Sequence, residues 1–164
     1  MNITRWNEKV SALADKLCSE NGIVYHNRAD GVVFCDKHAT WLLFCPKSGI
    51  ASIHANQAKS CSALSAYWEK ALRSDGKLAE CSASGRFAKT AGRSYKVHQF
   101  KSGDLEVYAQ DKYIRMFPKN TMFYISGRRD PIVAGIWEND QLHVIGFVMP
   151  LAGANATSEN FVAA

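Results

Sequence analysis

Residues 121–151 read TMFYISGRRDPIVAGIWENDQLHVIGFVMPL, the most hydrophobic part of the chain. Its three apolar runs are separated by a break containing Gly127 and Pro131 and by the dipeptide Asn139-Asp140. Gly, Pro, Asn and Asp between runs of β-branched and aromatic residues are typical of turns between antiparallel strands. The stretch therefore predicts three consecutive strands that form the centre of an antiparallel sheet.

The sequence before this stretch contains two helical patterns. Residues 2–21 place apolar side chains three and four positions apart, and Asn2 is a suitable N-cap. A second, shorter helix is predicted over 61–74, where Asp75-Gly76 follows as a stop signal. Short β-branched and aromatic runs between 23 and 53 predict a meander of up to four strands.

Further strands are predicted between the second helix and the opening stretch. They are YKVHQF (95–100), LEVYA (105–109) and KYIRMF (112–117). Residues 77–93 are small, basic and rich in Gly and Ser without a sustained period, which predicts a long loop or a frayed helix. The expected fold class is α+β: a largely antiparallel sheet of about seven to nine strands with two helices packed on one face.

Composition predicts one globular domain. The chain has 164 residues, of which 47% are hydrophobic and 21% charged, and this excludes a disordered protein. We expect a single α+β domain over 1–151 and a loosely ordered tail over 152–164, which is small and polar. No run approaches the ~20 apolar residues that a membrane helix needs.

The first residues and the cysteines predict a cytoplasmic protein. The N-terminal sequence MNITRWNEKV has charged residues where a signal peptide would have an apolar core. The chain has five cysteines, an odd number that does not fit a secreted disulfide framework.

Positive charge is concentrated in the middle of the chain. Residues 70–101 contain eight basic and two acidic residues, so this segment alone exceeds the net charge of +5 of the whole chain. Such a segment can bind nucleic acid or an acidic protein surface, and Phe87, Tyr95 and Phe100 could stack on bases. The predicted nucleic-acid-binding residues are Lys77, Arg86, Lys89, Arg93, Lys96, Lys101, Arg128 and Arg129. A solvated surface without a partner has the same composition.

Four residues have side chains that can bind zinc: Cys35, His38, Cys45 and His54. Both cysteines follow Phe at the ends of apolar runs, where reduced cysteine behaves as a small hydrophobic residue. We therefore predict no metal and no other cofactor, although convergence of the four side chains stays open.

Cys61 is a candidate nucleophile because the start of a helix lowers the pKa of a thiol. His143 or His98, each on a predicted strand, could act as its base. A cysteine on a helix followed by a histidine on a strand resembles papain-like peptidases and peptidoglycan amidases. The surrounding sequence, AKSCSALSAYW, lacks the glycine typical of those families.

The closing run LHVIGFVMPL (142–151) resembles the last strand of bacterial DNA polymerase sliding clamps, which often ends in Met-Pro and another hydrophobic residue. The order of helices followed by antiparallel strands is also similar to the repeated unit of that fold. The resemblance covers about ten residues and an element order, and it implies a fold but no binding residue.

The leading hypothesis is a small cytoplasmic, non-enzymatic module that binds nucleic acid or a nucleic-acid-associated protein through the basic central segment. An accessory protein of a phage or mobile element would fit this description. The alternative is a cysteine hydrolase that uses Cys61 with His143 or His98. The two hypotheses differ in whether a cysteine, a histidine and a carboxylate converge in space.

Overall fold

The computed structural model describes most of the chain. The described residues are 2–21, 23–35, 39–44, 58–60, 62–73, 75–82, 86–90, 92–151 and 161–163. Within them the chain forms three helices and twelve strands. Their order is α1 (Ile3–Asn21), β1 (Ile23–Asn27), β2 (Gly31–Cys35), β3 (Ala39–Phe44), β4 (Ala58–Ser60), α2 (Ser62–Leu72), β5 (Lys77–Cys81), β6 (Arg86–Thr90), β7 (Arg93–Ser102), β8 (Leu105–Gln110), α3 (Asp111–Ile114), β9 (Met122–Ile125), β10 (Ile132–Glu138), β11 (Gln141–Val148) and β12 (Phe161–Ala163).

The described strands form one continuous pairing path, in the order β12-β6-β7-β5-β9-β10-β11-β3-β2-β1-β4, and β8 pairs with the free edge of β7. Strand β5 joins the two halves, because Lys77–Ala79 pair with β9 whereas Glu80–Cys81 pair with β7. All pairs are antiparallel except β1 with β4. The prediction of a largely antiparallel sheet is therefore confirmed.

The opening stretch of the sequence occupies the middle of this path. Strands β9, β10 and β11 pair in succession, as the apolar runs predict. The turn between β10 and β11 consists of Asn139 and Asp140, with φ angles of 52° and 59°. Both residues tolerate the left-handed conformation that a two-residue hairpin turn requires. A bulge in β11 opposite Ala134 and Gly135 shifts the register there.

The predicted packing of two helices on one face is wrong. Trp6 of α1 lies in a buried cluster with Trp41 of β3, whereas Trp68 of α2 lies in a second cluster with Leu42. Trp41 and Leu42 are neighbours in one strand, so their side chains point to opposite sides of the sheet. The two long helices therefore cover opposite faces. Within the described residues the protein is rich in sheet, with twelve strands and three helices.

Helix α1 begins as the sequence predicts. The side chain of Asn2 accepts a hydrogen bond of 3.0 Å from the backbone N–H of Arg5, which satisfies one free donor of the first turn. Trp6 and Val10 are buried against the sheet, and the Trp6 indole donates a hydrogen bond of 2.8 Å to the carbonyl of Leu42. This bond holds the helix at a fixed position along β3.

Two local predictions are wrong. Residues 77–93, predicted as a loop, contain strands β5 and β6 and the start of β7. Residues 112–117, predicted as a strand, lie mostly in the short helix α3 and the turn that follows it. Residues 77–93 form strands because their backbone pairs with other strands, although their side chains have weak strand preference.

Other predictions fall partly outside the described residues. Residues 45–53 of the predicted meander lie outside them, as do 152–160 of the predicted tail. Residues 161–163 form β12 and pair with β6. Within the described part of the chain, no helix combines the length and apolar character needed to span a bilayer.

Candidate nucleic-acid interface

Strands β6 and β7 form a hairpin whose paired residues include basic side chains but no acidic ones. Arg86–Thr90 pair with Arg93–Val97, and these ten residues, called the basic hairpin below, include four basic and no acidic ones. Arg86 occupies the register position opposite Val97. Lys89, Arg93 and Lys96 are exposed, and in the described residues no carboxylate lies within ion-pair distance of them.

The register of the basic hairpin determines which charges lie together. Lys89 is opposite Ser94, so Lys96 is its diagonal neighbour on the same face, at a typical distance of about 7–8 Å. Arg93 belongs to the other face, on which Tyr95 packs against a small buried cluster. The exposed face thus presents two ammonium groups side by side, and Arg93 lies at the tip.

Lys101 differs from the hairpin residues although it lies on the same strand. It is opposite Glu80 of β5 and Glu106 of β8, and its Nζ lies 3.6 Å from the Glu106 carboxylate. Two carboxylates on neighbouring strands offset its charge. Lys101 is therefore the least available of the predicted binding residues on β7.

The remaining predicted residues lie away from the hairpin tip along the strand direction, near the start of β5. Lys77 pairs with Ile125, the last residue of β9, and the exposed Arg128 and Arg129 follow in the next turn. The eight residue-to-residue steps of β7 from Arg93 to Lys101 correspond to roughly 26 Å of extended strand. The structure thus divides the predicted set into a hairpin group and a group around Lys77.

The aromatic residues near the hairpin are less accessible than the sequence suggests. Phe100 is fully buried and packs edge-on against Phe123 at 5.0 Å, so its predicted stacking on bases is wrong. Phe87 and Tyr95 are half-buried. Charge is therefore the main recognition chemistry that the hairpin offers.

A cysteine, a histidine and a carboxylate do converge in the structure, at a different cysteine from the one predicted. His98 of β7 lies between two oxygen atoms: its Nδ1 is 2.8 Å from the Ser82 carbonyl, and its Nε2 is 2.8 Å from Asp111 Oδ1. The thiol of Cys81 lies 3.6 Å from the same Nδ1. Asp111 is 4% exposed, and the Arg115 guanidinium is 3.6 Å from its second oxygen.

The hydrogen bonds of His98 argue against a catalytic role. A carbonyl and a carboxylate only accept hydrogen bonds, so both ring nitrogens of His98 are directed at oxygen acceptors. The Ser82 carbonyl lies 2.8 Å from Nδ1, closer than the Cys81 thiol at 3.6 Å, so it competes with the thiol for the nitrogen that a general base would use. The arrangement instead connects the end of β5, the middle of β7 and the start of α3.

The thiol of Cys81 has the wrong electrostatics for a nucleophile. Although the residue is exposed overall, partial burial of the thiol raises its pKa to about 11. At neutral pH the group is then a thiol, whereas the reactive form is the thiolate. We interpret Cys81, His98 and Asp111 as a structural hydrogen-bond network.

We expect Cys81 to react slowly with iodoacetamide at pH 7. A pKa of about 11 against the ordinary value of 9.0 lowers the thiolate fraction about 100-fold at neutral pH, and the rate should rise steadily above pH 9. Peptide mapping by mass spectrometry measures each cysteine separately. A peptide of residues 77–85 is the unfolded control, and a rate at pH 7 above that of the peptide would contradict the structural interpretation.

The residues of the predicted cysteine hydrolase are not brought together among those described. Cys61 lies outside the described residues, and His143 is exposed on β11. His98, the second predicted base, contacts Cys81 and Asp111 instead. Asp111 is weakly marked in the sequence, as an acid at the start of an apolar run. Cys81 and Ser82 are not marked at all, because their contact with His98 depends on strand register.

The four candidate zinc ligands are mostly outside the described residues, which include only Cys35. In the described part of the chain, no group of three or more Cys, His, Asp or Glu side chains is arranged to hold a metal ion. Whether Cys35, His38, Cys45 and His54 converge is therefore untested, and the prediction of no metal stays a prediction.

The fold and the hairpin define a sheet-rich protein with a cationic hairpin at one end. No family model matches the chain, and comparisons with curated proteins and with solved structures give no match either. These comparisons do not bear on the resemblance of the closing strand to sliding clamps, which stays a prediction from the sequence.

Proposed function

We propose that the protein is a non-enzymatic, cytoplasmic module that binds nucleic acid through the basic hairpin. The observation that supports this most directly is the hairpin itself, with four basic residues, no acidic residue and three exposed cationic side chains without ion-pair partners among the described residues. Cations that have no carboxylate beside them are free to neutralise phosphates.

The chemistry of the hairpin fits backbone contact better than recognition of sequence. Lys89 and Lys96 project from one face of a narrow ribbon, and Arg93 lies at its tip. These side chains neutralise phosphates and release counterions, which gives affinity with little dependence on base sequence. Lys77, Arg128 and Arg129 form a separate basic group near the start of β5, which a nucleic acid would reach only by extending along the strands from the hairpin.

The test is a triple variant, Lys89→Gln, Arg93→Gln and Lys96→Gln, measured by fluorescence anisotropy with a labelled mixed-sequence 30-mer in single-stranded and duplex form. Loss of three phosphate contacts should weaken binding at least about tenfold at 50 mM salt. It should also reduce the slope of log K against log salt by about 2.7 for the duplex and about 2.1 for the single strand.

A matched control removes the same charge elsewhere. Arg5, Lys112 and Lys119 are exposed and lie outside the hairpin, so their replacement by Gln changes net charge equally. If both triple variants bind alike, the hairpin is not the contact. Wild-type binding to DNA that does not depend on salt would reject the proposal and would direct attention to an acidic protein surface as the partner.

A further inference from the structure

One face of the central sheet exposes a group of large apolar side chains. Leu78 and Trp137 are each 52% exposed and Leu142 is 36% exposed. Leu78 pairs with Tyr124 and Trp137 pairs with Leu142, so all four residues share a face. The Trp137 indole donates a hydrogen bond of 2.8 Å to the Tyr124 hydroxyl. These residues are called the apolar face below.

Helix α2 covers only the neighbouring part of the same sheet face. Its Trp68 packs in a cluster with Val133 and Phe147 and leaves the ends of β10 and β11 uncovered. Leu142 lies over Gly135, where a Cβ atom would be 2.6 Å from its Cδ1. The absence of a side chain at Gly135 thus lets Leu142 lie flat beside Trp137 and widen the apolar face.

Acidic residues lie at the end of the apolar face toward the β10–β11 turn, whereas Lys77 lies beside Leu78 at the other end. Glu80 follows Leu78 on the same side of β5, and Asp140 is in the turn that joins the strands of Trp137 and Leu142. Lys101 is the cation beside Glu80, and its charge is offset by Glu106 at 3.6 Å. This end of the apolar face is thus acidic, in a chain whose net charge is +5.

We infer that the apolar face binds the basic hairpin of a second copy of this chain. The hairpin has the complementary charge, and its half-buried Phe87 lies on the same face as Lys96. Trp and Tyr are the residues that most often anchor protein interfaces. The hairpin cannot fold onto its own apolar face, because roughly 26 Å of extended strand separates Arg93 from Lys101.

This contact joins two different surfaces, so it is heterologous and can continue from one molecule to the next. The inference goes beyond nucleic-acid binding and uses the hairpin for a different partner. Because one of its two surfaces, the apolar face, is not part of the nucleic-acid proposal, the two proposals can fail separately. Trp137→Ser should reduce self-association and leave DNA affinity unchanged.

The test is sedimentation velocity at 10–200 μM protein in 50 mM and 500 mM NaCl, with two complementary variants. Trp137→Ser removes the apolar face and keeps the hairpin, whereas the double variant Lys89→Glu and Lys96→Glu removes the hairpin and keeps the face. We expect wild-type protein to self-associate with a salt-sensitive dissociation constant. Each variant alone should associate at least about tenfold more weakly, and their mixture should form a 1:1 pair that grows no further.

Other results would overturn the inference. Dimers of the hairpin double variant as stable as those of wild type would show that apolar faces pair with each other. A wild-type protein that stays monomeric at 200 μM in 50 mM NaCl would show that the face binds no second copy. The control is Ile3→Ser, which removes another exposed apolar residue, 47% exposed, from the helix on the opposite side of the sheet. Its association should equal that of wild type.

Discussion

Replacing Asp111 with alanine is expected to lower the free energy of unfolding by about 1–3 kcal/mol. The carboxylate is 4% exposed and accepts a hydrogen bond of 2.8 Å from His98, which is itself mostly buried. Removing it leaves a buried ring nitrogen without a partner, and such a group loses its solvation without gaining a bond. Urea unfolding followed by tryptophan fluorescence measures the difference.

The matched control is Asp104→Ala, which removes the same side chain from an exposed turn between β7 and β8. It should change stability by no more than about 0.5 kcal/mol. Asp111→Asn, which keeps the shape and one acceptor oxygen, should lose less than the alanine variant. Equal stabilities for Asp111→Ala and Asp104→Ala would mean that the network does not hold the fold together.

The centre of the sheet could be predicted from sequence because its signals are local. Each of the three strands in 121–151 is an apolar run, and Asn139-Asp140 supplies the two positive φ angles of the turn. Helix α1 is similarly marked by its apolar spacing and by Asn2, whose side chain caps it as expected. In these segments the local preference and the tertiary structure agree.

The rest of the fold depends on long-range pairing that the sequence does not display. Lys77–Ala79 become a strand because they pair with Phe123–Ile125, more than forty residues later. The sequence of 77–93 has little strand preference of its own, so the local pattern favoured a loop. The apolar stripes of α1 and α2 predict burial but not which face of the sheet each helix covers.

The candidate site, too, could be predicted only in part. The positive charge of Lys89, Arg93 and Lys96 can be predicted from the sequence alone, because no acidic residue lies between them. Composition could not show that Lys101 is opposite Glu80 and Glu106, because that depends on register. For the same reason the contacts of His98 could not be predicted, because they require β5, β7 and α3 to lie together in the fold.

Replacing Trp68 with alanine is expected to cost about 3–5 kcal/mol, because the indole is 1% exposed and no neighbouring residue can fill its volume. Its ring lies 5.8 Å from that of Phe147, and the Arg28 guanidinium lies 5.8 Å above it. Arg28 also pairs with Glu69 at 2.8 Å, so the loss of the indole loosens a second link between α2 and the sheet. Urea unfolding again measures the change.

The comparison that decides the role of α2 is Trp137→Ala, which removes the same side chain from a position that is 52% exposed. It should change stability by about 1 kcal/mol or less.

An 11-residue helix is marginal in water, so α2 depends on Trp68 for its helicity. Amide exchange in Trp68→Ala should therefore accelerate in α2 before it does in α1, which has its own anchor at Trp6 on the opposite face. If α1 and α2 lost protection together, the two helices would share one packing layer, contrary to the separate clusters around Trp6 and Trp68.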